Sequence, residues 1–312
     1  MAFAYITAAP PCLLPSLPSG VGKTTMAVMA VNDPTIRAAF DCIGWLSVGQ
    51  TPAILEMQRT LFHQLTRDTM PQKDGATVAS QLEELQEACA GKNFLICLDD
   101  VWDRDHEKQL NCIDPDSPSR LLVTTRIRGL LQGCQEVSLN LMDAGESVDL
   151  LLRAGQVEDA DEAAHNAAGT IAELCGYLPL YLSMCGGMIL GYDNEPEWQT
   201  ELPGMLSEDR VGLLDDGSGG SMAETLVDSS LNALQDEKTS LIFRALGVCP
   251  EDVAVPLPAV HVICGADAEV AAAKGKTSAM LMRRAVKALL DRNLLQGSIA
   301  VGIFMHGKAA AF

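Results

Sequence analysis

Aromatic residues are scarce in this chain, 4% of 312, and basic residues are outnumbered. Lys and Arg total 22 against 41 Asp and Glu, a formal net charge of −19. The first deficit leaves few rings on which nucleobases could stack. The second removes the broad cationic face by which proteins grip DNA, RNA or anionic lipid. The ten cysteines, at 12, 42, 89, 97, 112, 134, 175, 185, 249 and 264, contain no CxxC pair, and several sit inside apolar runs such as residues 94–98. That pattern excludes a disulfide framework and a zinc site, and points to buried thiols in a reducing compartment. No charged side chain precedes Lys23, and Pro10, Pro11, Pro15 and Pro18 interrupt the apolar start. A secretory signal would need a basic start and an unbroken apolar stretch. A dehydrogenase is disfavoured as well, because no Gly-x-Gly-x-x-Gly follows a strand-type run.

What is present fits a soluble globular protein, 48% apolar and 20% charged, long enough for two or three domains. Residues 42–48, 94–98 and 121–124 are short apolar runs, and 136–141 alternates Val137, Leu139 and Leu141. Between the first two runs lie two helical faces, Ile54, Met57, Leu61, Leu65 and Val78, Leu82, Leu85, Cys89. Apolar strands alternating with amphipathic helices predict a parallel sheet covered on both faces. From about residue 142 the pattern is helical, with acidic clusters such as Glu158-Asp159 and Asp161-Glu162 read as solvated surface. The polar run Asp215-Asp216-Gly217-Ser218-Gly219-Gly220-Ser221 reads as a linker. After it, 222–233, 238–247, 258–264 and 278–292 read as helices. Strands are expected at 293–296 and 299–305, joined at Gly297-Ser298. Residues 174–192 carry no charge and are just long enough to span a bilayer, but Gly176, Pro179, Gly186, Gly187 and Gly191 interrupt them.

The stretch Gly20-Val21-Gly22-Lys23-Thr24-Thr25 has the chemistry of a phosphate-binding loop. Its glycines let backbone N–H groups turn toward a phosphate, an ammonium follows, and a hydroxyl stands where Mg²⁺ would be held. Thr25 and the residues after it can start a helix whose positive end faces the anion. Downstream, the apolar run at 94–98 ends in Asp99-Asp100. A carboxylate at a strand tip can reach the Mg²⁺ shell, the role expected of Asp99, and a second can position an attacking water, the role expected of Asp100. The run at 121–124 leads into Thr125 and Arg126, whose guanidinium matches a γ-phosphate. Taken singly, Asp99-Asp100 could cap a turn, and Arg126 could be a surface ion pair.

In this order, these three elements resemble the NB-ARC family of signalling ATPases, which includes plant disease-resistance proteins and animal apoptosome ATPases. Asp99-Asp100-Val101-Trp102 is similar to its second nucleotide motif, and Thr124-Thr125-Arg126 to its sensor strand. Cys175-Gly176-Tyr177-Leu178-Pro179-Leu180 is similar to its GLPL motif and accounts for the uncharged stretch better than a membrane does. Met305-His306-Gly307 stands where the family has Met-His-Asp. The resemblance implies an α/β P-loop domain, a helical lid and a winged helix. The boundaries are an irregular segment at 1–18, the nucleotide-binding domain at 19–141, the lid at 142–210, a linker at 211–221 and the winged helix at 222–312. It also implies a cytoplasmic ADP/ATP switch using Mg²⁺ with slow hydrolysis at most, in defence or cell-death signalling, with protein partners and a nucleotide-dependent oligomer. Pro179 would pack on adenine and His306 would touch the β-phosphate of ADP. The winged helix would be an internal clamp, with no nucleic-acid partner and no membrane span.

The chain departs from the family in three places. Leu17 stands where the full loop pattern has glycine, and Ser19 where the family prefers glycine. The prolines of residues 11–18 leave no clean strand directly before the loop, unless residues 2–6 serve from a distance, which raises the expectation of a truncated or mis-assigned start. Gly307 replaces an aspartate, which predicts a weakened ADP-bound state. The end at Phe312 reads as a fragment or a bare nucleotide-binding module. Two other functions compete: an interaction scaffold with a degenerate nucleotide site, and an ordinary metabolic P-loop kinase or transporter ATPase, which would not explain Pro179 or His306.

Overall fold

The computed structural model describes residues 4–8, 20–71, 73, 75–114, 116–127, 129–131, 135–192, 195–215, 222–232, 234, 236–249, 254–264 and 276–305. The chain divides into two compact units, Met1–Asn140 and Leu141–Phe312.

The first unit is built on a five-stranded parallel sheet of β1 (Ala4–Ala8), β2 (Cys42–Gly49), β3 (Phe94–Val101), β4 (Arg120–Thr125) and β5 (Gln135–Leu139), in the order β2-β3-β4-β1-β5. The helices are α1 (Lys23–Asn32), α2 (Pro34–Ala39), α3 (Ile54–Thr66), α4 (Val78–Cys89) and α5 (Arg104–Leu110). Strand pleat sorts the side chains into two cores. Phe94, Ile96 and Leu98 of β3, with Leu46, Val48, Leu121 and Val123, pack beneath Leu61, Phe62, Leu65, Leu85 and Leu110 of α3, α4 and α5. The alternate residues Leu95, Cys97 and Leu122 pack on Ala27 and Val31 of α1. A strand apolar on both faces is what a central parallel strand requires. The exposed edge is managed locally: Gln64 of α3 accepts from the Trp45 N–H and donates to the Trp45 carbonyl of edge strand β2, at 2.8 and 3.0 Å.

The strand missing before the phosphate loop is present. β1 pairs with β4 on one side and β5 on the other, so the alternative of an upstream strand holds, shifted to Ala4–Ala8. The proline-rich residues 9–19 lie between it and the loop, outside the described residues.

The second unit is helical: α6 (Ala144–Ala154), α7 (Glu162–Leu174), α8 (Pro179–Ile189), α9 (Glu195–Asp215), α10 (Met222–Asn232), α11 (Glu237–Leu246), α12 (Leu257–Cys264) and α13 (Lys276–Asp291), ending in the antiparallel pair β6 (Gln296–Ser298) and β7 (Gly302–Phe304). One apolar cluster runs from Leu151 through Leu182, Trp198 and Phe243 to Met305, so the expected division at 211–221 does not interrupt the core. Residues 211–215, expected as linker, continue α9; residues 216–221 lie outside the described residues. The hairpin also differs from expectation. Gly297 and Ser298 are strand residues facing Ile303 and Gly302, and the turn is formed by residues 299–301, because the pairing needs the left-handed φ that Gly297 supplies within the strand. Asp161, read as solvated surface, is the N-cap of α7 and accepts from Ala164 N–H at 2.7 Å.

The uncharged stretch packs inside this unit. Helix α7 closes with a Schellman-type bond, Tyr177 N–H to Ala172 carbonyl at 3.0 Å, through left-handed Gly176 and Tyr177. Pro179 then opens α8 at the position where its missing N–H costs nothing. A Cβ on Gly187 would lie 2.6 Å from the Arg292 Cα, and one on Gly186 would collide with Ala154. The glycine pair therefore lets backbones approach. Among the described residues no helix is long and apolar enough to cross a membrane.

Candidate functional site

The expected loop residues converge at the C-terminal ends of β3 and β4. Gly20 and Gly22 both have positive φ, 106° and 95°. Gly22 is the N-cap of α1 and makes no side-chain capping bond, and the first turn of α1 carries no acid. The backbone N–H groups there keep the positive end of the helix free for an anion. Val21 is buried, and Thr25 is exposed on α1. Lys23 begins the helix. Burial, and then the neighbouring Arg126, pull its ammonium below the ordinary lysine range, while Asp100 and Asp99 act against them. Two cations near one another, held against a desolvation cost, suit a polyanionic ligand.

Asp99 is 3% exposed. The Thr24 hydroxyl donates to it, 3.0 Å from each carboxylate oxygen, and the Thr124 hydroxyl donates to Oδ1 at 2.5 Å. Burial pushes this carboxyl above its usual range; the Thr124 and Thr24 hydroxyls and the Lys23 charge offset that only in part. A buried carboxylate held by two hydroxyls, one of them on the phosphate loop, fits a divalent cation shared with phosphate oxygens. Mg²⁺ is commonly bound by one or two protein groups plus phosphates and waters. Among the described residues no group of three or more His, Cys, Asp or Glu could hold a metal by itself.

The β3–β4 register slips between Leu98 and Val101, where β3 holds one extra residue relative to β4. This bulge turns the chain at Asp100, whose φ is 54°. Asp99 and Asp100 thereby face different partners although they are adjacent. The Asp100 N–H donates to the Thr124 hydroxyl at 2.9 Å. Its carboxylate accepts from Trp102 Nε1 at 2.8 Å and from Arg126 Nε at 3.3 Å, and the Arg126 guanidinium lies over the Trp102 ring, 4.8 Å from its centre. The sequence marks Thr124 and Trp102 only as motif members, without a role of their own. Their signal was available: a threonine ending the apolar Leu121-Leu122-Val123 beside two carboxylates, and an indole two residues beyond the second of them.

The structure therefore brings together Lys23, Thr24, Asp99, Asp100 and Arg126. Pro179 belongs to the second unit, and His306 and Gly307 lie outside the described residues. None of the eight described cysteines is in a disulfide.

A parallel sheet ordered β2-β3-β4-β1-β5, with a glycine-led helix and a buried strand-tip aspartate, defines a P-loop nucleotide-binding fold. Residues 17–160 match the NB-ARC domain. Relatives of the chain include the putative disease resistance RPP13-like protein 3 of Arabidopsis thaliana, 24% identical over 89% of this chain and 33% of the relative. They also include the putative disease resistance protein RGA4 of Solanum bulbocastanum, 29% identical over 58% of this chain and 19% of the relative. The chain thus spans a third or less of the length of these curated relatives. Among solved structures, a signal transduction ATPase with numerous domains (STAND) and a tetratricopeptide repeat sensor, from Pyrococcus horikoshii, shares the fold with a TM-score of 0.57. It is 13% identical and covers all of this chain and 40% of that one.

Proposed function

We propose that this protein is a nucleotide switch that binds ADP or ATP with Mg²⁺, hydrolyses ATP slowly at most, and acts in defence or cell-death signalling. The observation that carries the reading is the link from phosphate loop to strand tip: the Thr24 hydroxyl on both oxygens of buried Asp99, directly after Lys23 and left-handed Gly22. The loop N–H groups and Lys23 bind the phosphates. Thr24 and Asp99 hold the metal, which when bound would neutralise charge on the phosphate oxygens. Asp100 positions a water and Arg126 reads the third phosphate. The resemblance adds adenine packing for Pro179 and a β-phosphate contact for His306.

The described end of the second unit supports a winged helix. Helix α11 is followed by a bridge between Val255 and Ile303, then by α12, α13 and the hairpin. The disease-resistance relatives support the signalling role, and with it a cytoplasmic location, protein partners and a nucleotide-dependent oligomer. The competing scaffold reading rests on Leu17, which replaces the first loop glycine.

Identification of the nucleotide that co-purifies with the protein separates the two. The switch carries adenine nucleotide, and Lys23→Arg releases it. Protein free of nucleotide before and after that substitution would favour the scaffold.

A further inference from the structure

We propose that Trp102 is a positioning residue that holds Arg126 and Asp100 against each other when no third phosphate is present, and so sets how strongly the site distinguishes a nucleoside triphosphate from a diphosphate. This rests on the nucleotide reading above and concerns the regulation of that same site.

The indole of Trp102 grips both partners at once. Its Nε1–H donates to Asp100 Oδ2 at 2.8 Å. Its ring face lies 4.8 Å from the Arg126 guanidinium carbon. Arg126 completes the set with its Nε–H on Asp100 Oδ1 at 3.3 Å. Both carboxylate oxygens of Asp100 are therefore occupied, and the guanidinium is engaged on its Nε edge and on one face. The side chains are half-buried or nearly buried, 29% exposed for Arg126 and 16% for Asp100, so water screens the contacts only in part. At the bulge, where Asp100 has a left-handed backbone, its carboxylate meets this pair while that of Asp99 meets Thr24.

The consequence is a cost on one ligand only. A diphosphate held by the loop and Lys23 leaves the Arg126 contacts intact. A third phosphate engages Arg126 only as the guanidinium leaves the indole and Asp100. The same departure frees Asp100 Oδ1, so the acid expected to position water becomes available when the triphosphate is sensed. A ligand shifts such a balance only by its differential contacts with the two arrangements. Loss of the ring contact should lower the cost to the triphosphate by the strength of a partly desolvated cation–π contact, about three- to tenfold in affinity.

The test is calorimetric titration of the full chain with Mg·ADP and with a non-hydrolysable Mg·ATP analogue, for wild type, Trp102→Leu and Trp102→Phe. The expected result is an ATP-to-ADP affinity ratio raised about three- to tenfold in Trp102→Leu. Trp102→Phe, which keeps a ring face and loses the N–H, should move the ratio in the same direction by a smaller factor. In an Arg126→Ala background the Trp102→Leu change should have no effect on the ratio, because the residue it acts through is gone. An unchanged or lowered ratio overturns the proposal; a lowered one would mean that Trp102 presents Arg126 to the third phosphate. A Trp102 effect that persists without Arg126 overturns it too. Should Trp102→Leu fail to fold, Trp102→Phe carries the same test with the same overturning outcomes. Wild-type protein that binds neither nucleotide refutes the nucleotide reading itself, and this proposal falls with it; wild type that binds both with no movement of the ratio refutes only the latch.

Discussion

Asp99→Asn should stabilise the nucleotide-free protein while weakening its response to Mg²⁺. The Asp99 carboxyl is 3% exposed and burial raises its affinity for a proton. The folded chain therefore holds a proton that the unfolded chain releases at lower pH. The stability of the nucleotide-free fold falls as pH rises from the ordinary carboxyl range through the folded-state value, and stays at its lower level above it. Asparagine removes the charge without orphaning a polar atom. Thr124 can still donate to Oδ1, and Thr24, within 3.0 Å of both oxygens, can turn its hydroxyl to accept from the new amide. The net gain at neutral pH is about 1–2 kcal/mol, the lower part of the range for relieving an incompletely compensated buried charge. For a unit of this size that corresponds to roughly 4 °C in Tm per kcal/mol. Thermal melts in EDTA between pH 5 and 8 read it: the two proteins should converge toward the acid end and separate as pH rises. Added Mg·ADP should raise the wild-type Tm more than the variant's. An Asp99→Asn protein that melts below wild type at neutral pH, or a difference that does not change with pH, would refute this account of the carboxylate.

Three further outcomes follow from other contacts. Lys23→Met should lower nucleotide affinity at least about tenfold, the scale of losing a charge-assisted bond to phosphate, with little change in Tm without nucleotide; equilibrium dialysis with labelled ADP checks it. Gly187→Ala should destabilise the second unit by about 1–3 kcal/mol, because its Cβ would lie 2.6 Å from the Arg292 Cα backbone atom; urea unfolding should show this as a lower midpoint at constant slope. Gly22→Ala should cost about 1–2 kcal/mol through its left-handed φ of 95°, although its Cβ meets nothing within 4 Å; native-state hydrogen exchange should place the loss in the first turn of α1.

The parts of the fold and site that could be read from the sequence are those written locally. Apolar runs between amphipathic segments show a covered parallel sheet, because each strand's burial depends on its own side chains. Lys23, Thr24 and Asp99 stand out because phosphate and metal chemistry requires those groups at loop and strand ends. The remainder depends on pairing between distant segments. Ala4–Ala8 is a short run whose strand character comes from lying between β4 and β5, and the prolines that follow it hide its connection to the loop. The bulge that separates Asp99 from Asp100 is a property of β3–β4 register. Trp102 and Arg126 are far apart in sequence, so their stacking is a tertiary fact. The close approaches that require Gly186 and Gly187, to Ala154 and to the Arg292 backbone, are tertiary facts as well.

Calorimetric titration of this chain with ADP in the presence and absence of Mg²⁺ tests the central claim most directly. The account predicts saturable binding that strengthens with the metal and is lost in Lys23→Met. The absence of any heat of binding from a folded, nucleotide-stripped protein would contradict it.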